Sequence, residues 1–114
     1  MEKTDAVTAL SALAQDNRLD VYRLLVQAGP VGMPAGAVAE ALQLAPNTLT
    51  FHFDRLRVAG LVTVRREGRS MIYAARYDVM NGLIAFLTDN SCAGVSCIPT
   101  SQRTRARKRA KVPA

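Results

Sequence analysis

Along the first half of the chain, apolar residues recur three and four positions apart, the period of a helix with one buried stripe. Val7, Leu10 and Leu13 form such a stripe with alanines beside it, and Thr4 or Asp5 is placed to cap the helix that carries them. Asp16 and Asn17 interrupt the pattern. A second stretch carries Leu19, Tyr22, Leu24, Leu25 and Val26 and stops at Ala28-Gly29-Pro30, where glycine followed by proline ends a helix. Pro34 suits the first turn of a third helix whose apolar residues are Val38, Ala39, Ala41 and Leu42. Ala45-Pro46-Asn47 breaks the pattern before a fourth helix that runs to about Ala59, with Gly60 at its end. The turn between the third and fourth helices is then about three or four residues, as in a helix-turn-helix.

Beyond Gly60 the period changes. Val62 and Val64 alternate with polar neighbours, Glu67-Gly68-Arg69 supplies a turn, and Ile72 begins a second β-like run, which predicts a two-strand hairpin with a basic tip. From Asp78, the residues Val79, Met80, Leu83, Ile84, Phe86 and Leu87 make a last helix that is apolar over more than half its circumference. A helix that apolar needs cover, and a dimer partner supplies it most simply. After Asn90 the pattern ends: Cys92-Ala-Gly-Val-Ser-Cys97 is a short loop, and the segment after Pro99 reads as a mobile polar tail.

Composition narrows the class. The chain has 114 residues, 49% apolar and 21% charged, which fits one globular domain with a modest core. Its longest charge-free run, Leu24 to Ala39, is broken by Pro30 and Pro34, so no stretch reaches the ~18 residues of a membrane helix. Met1-Glu2-Lys3-Thr4-Asp5 lacks the basic-then-apolar order of a signal peptide, and two cysteines make no disulfide framework. A cytoplasmic location without membrane contact is expected. The net charge of +6, from 15 Lys+Arg against 9 Asp+Glu, is unevenly spread. Arg103, Arg105, Arg107, Lys108, Arg109 and Lys111 hold six unopposed positive charges, which leaves residues 1–100 neutral. Within that body, residues 46–76 hold Arg55, Arg57, Arg65, Arg66, Arg69 and Arg76 against Asp54 and Glu67, a local +4, while residues 1–45 and 77–100 are each −2. A neutral body with one basic segment predicts a localised anionic contact.

The fourth helix tells what that contact is. On a helical wheel Leu49, Phe53, Leu56 and Gly60 share one face; Asn47, Phe51, Asp54 and Arg55 lie roughly opposite, with Thr48 and Thr50 on the flanks. An outward face that begins with small hydrogen-bonding residues and ends in arginine suits a recognition helix, whose N-terminal residues reach base edges while later ones meet phosphate. An exposed Phe51 would contact a thymine methyl, and Asp54, of the wrong sign for phosphate, is expected to pair with Arg57 or Arg55. Alone, such a helix reads as an amphipathic element with a solvated face. The hairpin that follows, with Arg65, Arg66 and Arg69 around Gly68, makes the combination far more specific. The expected DNA-binding set is therefore Asn47, Thr48, Thr50, Phe51, His52, Arg55, Arg65, Arg66 and Arg69. His52, the only histidine, lies beside the buried stripe and is expected to bond within the domain rather than to a metal, since no second His or nearby Cys completes a site. The fold predicted is mainly α with a small β-hairpin: a winged helix-turn-helix of about five helices plus a two-strand wing, as a homodimer. A DNA-binding and dimerisation domain occupies 1–90, a cysteine-containing loop 91–100 and a basic disordered tail 101–114. Neither a nucleophile–histidine–acid set, nor a phosphate loop, nor a metal-ligand cluster is present in the sequence, so an enzyme is not expected.

The run Leu44-Ala-Pro-Asn-Thr-Leu-Thr-Phe-His-Phe-Asp-Arg-Leu-Arg-Val-Ala-Gly-Leu-Val62, followed by Arg65-Arg-Glu-Gly-Arg69 and Tyr73, resembles the ArsR-type (ArsR/SmtB) winged-helix metalloid and metal sensors. So does Ala14-Gln-Asp-Asn-Arg-Leu-Asp-Val-Tyr-Arg-Leu-Leu25; together the resemblance covers about residues 5–90. It implies a homodimer joined through its first and last helices, bound to an inverted-repeat operator in double-stranded DNA and released by an inducer. Of the family's inducer sites, the Cys-Val-Cys box of the third helix has no counterpart in Gly36-Ala-Val-Ala-Glu-Ala-Leu42, and no histidine follows His52 to form a zinc site on the last helix. The chain is more similar to members with cysteines just beyond the last helix that bind trivalent arsenic or antimony. Ser91-Cys92 stands where some of those carry an adjacent pair, and Cys97 stands at the distal thiol, so one thiol is missing.

Thiolates suit soft, thiophilic trivalent arsenic. Two of them leave one valence for a hydroxyl, for another thiol such as glutathione, or for the methyl group of a methyl arsenical. The expectation is thus an arsenic-resistance repressor released when arsenite, methylarsenite (organic As(III)) or antimonite (Sb(III)) binds Cys92 and Cys97, with no catalytic cofactor. Zinc or cadmium fits less well, because a closed tetrahedral site wants four ligands. A reversible Cys92–Cys97 disulfide is the alternative trigger. A constitutive winged-helix DNA binder and a protein–protein module on the same fold are the other readings.

Overall fold

The computed structural model describes residues 1–94, so Cys97, much of the expected 91–100 loop and the whole expected tail, 101–114, lie outside the described residues. The first helix, α1 (Lys3–Leu13), begins earlier than a Thr4 or Asp5 cap predicts. Glu2 stands at its N-cap without a side-chain bond, and Asp5 lies in the first turn, where a negative charge favours the helix dipole. Its inward face is the alanine face: Ala6 and Ala9 are buried, whereas Val7 and Leu10 are exposed. Small side chains let α1 lie close on the body, and its larger apolar residues are left outside.

Helix α2 (Asp16–Ala28) is joined to α1 by Arg18, whose Nε donates to the Ala12 carbonyl at 2.6 Å while its backbone N–H donates to Gln15 Oε1 at 2.9 Å. Val21, Tyr22 and Leu25 are its buried stripe. At its far end the Tyr77 hydroxyl donates to the Val26 carbonyl at 2.8 Å, satisfying one of the carbonyls a helix terminus leaves open. A two-residue strand, β1 (Met33–Pro34), follows, and then α3 (Ala35–Leu42), with Pro34 at the N-cap rather than inside the first turn. Gln43 closes α3 in the left-handed region (φ 54°), the Leu44 N–H reaches back to the Ala39 carbonyl at 3.0 Å, and Pro46 opens α4 (Pro46–Val58). The helix-turn-helix turn is thus Gln43-Leu44-Ala45.

Strands β2 (Val62–Glu67) and β3 (Ser70–Ala75) pair antiparallel from Val62↔Ala75 to Glu67↔Ser70, so the turn is the two residues Gly68-Arg69. Gly68 has φ 62° at the first of the two turn positions, where a II′ hairpin requires it. The sheet has three strands, not the two expected, in the order β1-β3-β2. β1 pairs Met33 with Tyr73 and Pro34 with Ile72, and two residues between a glycine turn and a helix carry no alternation to read. Gly32 makes this pairing possible: its φ is 81°, and a Cβ there would run into the Tyr73 carbonyl.

Leu49, Phe53 and Leu56 of α4 enter one core with Val21, Leu25, Val38 and Leu61. Each such buried side chain contributes about 1.5–3 kcal/mol, so the helix-turn-helix is held mainly by the inward face of α4. Helix α5 (Tyr77–Thr88) follows, and a 3-10 turn, Ser91–Gly94, closes the described chain. Leu83 is the buried residue of α5, and Ile84, Phe86 and Leu87 are exposed. Among the described residues no helix is long and apolar enough to cross a membrane.

Candidate nucleic-acid interface

Helix α4 presents the predicted division of faces. Its N-cap, Ala45, offers no side-chain acceptor, so the N–H groups of the first turn have no cap. Asn47, Thr48 and Thr50 are exposed beside them. The Thr50 hydroxyl donates to the Pro46 carbonyl at 2.9 Å, which fixes its rotamer and leaves the oxygen free to accept. Phe51 is 55% exposed, and the Arg55 guanidinium carbon lies 5.6 Å from the centre of its ring. Asp54 pairs with Arg57 at 3.7 Å, one of the two partners expected for it.

His52 departs from the expected set. It is 5% exposed, flanked in sequence by outward Phe51 and inward Phe53, and packed from the edge by the Phe51 ring at 5.7 Å. Its burial removes it from the DNA-facing row. Nor does it form the internal hydrogen bond expected: Nδ1 has no partner among the described residues. Burial, and secondarily the Arg18 charge, hold its pKa below the usual histidine value.

The wing divides its arginines by role. Arg65 donates from Nε to Glu67 Oε2 at 2.6 Å and from Nη2 to the Val31 carbonyl at 2.8 Å, so it braces β2 against the loop that follows α2. Arg76 is paired with Asp78 at 2.8 Å, and that hydrogen bond holds the Asp78 carboxyl below its ordinary pKa. With Arg57 also paired, the charges of the basic segment that have no ion-pair partner among the described residues are Arg55, Arg66 and Arg69. Arg66 makes only a long bond, 3.4 Å, to the Gly68 carbonyl. Two of the three therefore sit at the wing tip and one on α4. The wing and α4 are joined by a contact that helical and strand periodicity did not reveal: Tyr73 of β3 stacks on Phe53 with ring centres 3.6 Å apart and planes 2° from parallel.

A family model described as a helix-turn-helix domain matches residues 13–65, the segment from the end of α1 into the wing. The chain is 31% identical to the nodulation protein NolR of Rhizobium meliloti over 80 residues, which is 70% of this chain and 63%, less than two thirds, of NolR's own length. Two solved structures of HlyU from Vibrio cholerae, whose sequence relative is a transcriptional activator, are also similar. One is 28% identical, with a TM-score of 0.63 over 81% of this chain and 99% of that one. The other, of reduced HlyU, is 26% identical, with a TM-score of 0.59 over 78% and 90%. The homodimeric winged helix-turn-helix DNA-binding domain of a Mycobacterium bovis protein, described as a possible ArsR-family transcriptional regulator, is 25% identical with a TM-score of 0.62, covering 84% of this chain and 89% of that one. The chain thus carries a helix-turn-helix domain on a winged-helix fold and is similar to transcriptional regulators, one of them a possible ArsR-family member. The fold and the domain match are those of helix-turn-helix transcriptional regulators and not of an enzyme.

Cys92 stands in the 3-10 turn Ser91–Gly94, three residues beyond the Asp89 C-cap of α5. Its expected partner Cys97 lies outside the described residues. Among the described residues no three His, Cys, Asp or Glu side chains come together to hold a metal ion.

Proposed function

We propose that this chain is an ArsR-type regulator, a homodimeric repressor that grips an inverted-repeat operator, with α4 in the major groove and the β2–β3 wing on the flanking backbone. One observation carries the DNA part. Asn47, Thr48, Thr50, Phe51 and Arg55 stand outward on a helix whose opposite face is sealed into the core. Arg66 and Arg69, at the tip of a wing stacked onto that helix, supply unpaired charge for phosphates. The short residues at the start of α4 would reach base edges. Arg65 braces the wing and is not assigned a base or phosphate. A second copy of the chain would cover the apolar residues left outside on α1 and α5, Val7, Leu10, Ile84 and Leu87, and would set two α4 helices about one DNA turn apart.

The trigger assigned is the binding of trivalent arsenic or antimony by Cys92 and Cys97. The chemistry of the donor set supports it, because thiolates are soft ligands matched to As(III). Cys92 follows α5 closely, so drawing the two thiols together acts on the helix with the uncovered apolar face and thereby on half-site spacing. A methyl arsenical fills its third valence with carbon and is satisfied by two thiolates; arsenite needs a hydroxyl or an outside thiol there. A second reading is a disulfide trigger, in which the two thiols give up two electrons and two protons to an oxidant. What favours it is that a similar regulator, HlyU, has a structure described by its redox state.

A gel-shift titration separates these readings. Wild type and Cys92→Ser on operator DNA would be titrated with arsenite, methylarsenite, antimonite, Cd²⁺ and diamide. Release of wild type alone by an arsenical or antimonite is the expected result. Release by diamide, reversed by dithiothreitol, would assign the disulfide trigger instead. Equal release of Cys92→Ser and wild type would remove the loop as sensor, and no release by any agent would leave a constitutive DNA binder.

A further inference from the structure

Phe51 is the outward residue of α4 that offers no hydrogen bond. Exposed apolar side chains are common, so exposure alone says little. Its neighbours say more. Arg55 lies one turn on, on the same face, with its guanidinium carbon 5.6 Å from the ring centre, the geometry of a cation–π contact. The other arginine of the helix, Arg57, is held by Asp54. Arg55 is therefore steadied by an aromatic ring, which takes up none of its N–H donors, whereas a carboxylate would occupy two. The ring in turn rests on the edge of buried His52 at 5.7 Å, so it projects from a fixed base.

This pair presents two chemistries side by side. A guanidinium with unused donors forms a planar fork that fits guanine O6 and N7 in the major groove. An aromatic ring beside it offers an apolar surface, and thymine is the base with a methyl group in that groove. Successive bases on one strand rise about 3.4 Å, so groups 5.6 Å apart span neighbouring bases and not distant ones. Resting on the DNA-binding reading above, we propose that Phe51 and Arg55 act as one reading unit for a thymine adjacent to a guanine on the same strand. Arg55 donates two hydrogen bonds to guanine O6 and N7, and Phe51 packs on the thymine 5-methyl. Phe51 is then a specificity-determining residue that also positions Arg55.

The test uses the full chain. Selection from a random duplex library defines the preferred half-site. Affinities are then measured with each thymine replaced by deoxyuridine, which removes only the methyl, and each guanine by 7-deazaguanine, which removes only the N7 acceptor. For wild type, one thymine per half-site should lose about fourfold on methyl removal. The guanine beside it should lose about tenfold on loss of N7. Phe51→Ala should bind thymine and deoxyuridine equally at that position and depend less on the neighbouring N7. Arg55→Lys should keep the methyl effect and lose most of the N7 effect. Thermal melts of both variants, altered at exposed positions, confirm that they are folded. A methyl effect that persists in Phe51→Ala, or a selected half-site without adjacent thymine and guanine, overturns the reading unit while leaving DNA binding intact. If the selection enriches no sequence, the proposed function itself falls, and the reading unit with it.

Discussion

His52 gives the most direct link between one side chain and a solution property. It is 5% exposed with Nδ1 unpartnered among the described residues, and burial, helped by the Arg18 charge, lowers its pKa from the ordinary value near 6.5. The folded state therefore prefers neutral imidazole. Above the unfolded pKa both states are neutral at this site and stability is complete. As pH falls below about 6.5 the unfolded chain takes up a proton that the folded chain refuses, and stability drops by up to about 1.4 kcal/mol per pH unit until the folded pKa is passed. Asp78 loses its contribution in a separate, more acidic window, because its own pKa is lowered from 3.8 by the Arg76 hydrogen bond. Urea midpoints measured from pH 7.5 to 5 should fall for wild type and stay nearly flat for His52→Gln. An equally steep fall in the variant would assign the pH dependence to other groups. The position of His52 also shows where a helical wheel loses resolution: it sits at the border of the buried arc, with the Phe51 ring against it.

At the scale of elements, the wing is aimed by its attachment to α4. The Phe53–Tyr73 stack joins strand to helix, and Arg65 ties β2 to the Val31 carbonyl. Tyr73→Ala removes half of that stack and leaves a gap against a core phenylalanine. It should cost about 2–4 kcal/mol in urea unfolding, while Tyr73→Phe, which keeps the ring, should stay within about 1 kcal/mol of wild type. A Tyr73→Ala protein as stable as wild type would show that the stack does not hold the wing. The helices were legible beforehand because each carries several turns of apolar period and a stop signal, as at Ala28-Gly29-Pro30 or Ala45-Pro46. The β2–β3 hairpin was legible from alternation around Gly68. What escaped was whatever depends on pairing distant segments: β1, whose two residues exist as a strand only opposite Tyr73 and Ile72, and the brace made by Arg65, which spans 34 positions. The face by which α1 packs escaped too, because its buried residues are the small ones, Ala6 and Ala9, which a hydrophobic stripe underweights.

For the whole molecule the net charge of +6 is a poor guide to the DNA contact. Three of the six arginines in residues 46–76 are answered by Asp54, Glu67 and Asp78, so the charges of that segment without an ion-pair partner among the described residues reduce to Arg55, Arg66 and Arg69. The other six charges lie in residues 103–111, outside the described residues and without an acidic neighbour in sequence. In the proposed function base selection belongs to α4, whose position is fixed by the core, and Lys and Arg in a segment without apolar periodicity would contribute phosphate attraction that is blind to sequence. Each phosphate neutralised adds about −0.9 to the slope of log affinity against log salt. Deleting residues 101–114 should therefore weaken binding at low salt and reduce the slope by up to about five units per chain, about eleven for a bound dimer, the limit if all the removed charges meet phosphate. The truncated and full chains should select the same half-site and converge in affinity as salt rises. A changed half-site, or an unchanged salt slope, would mean that the division of charge between a reading body and an attracting tail is wrong.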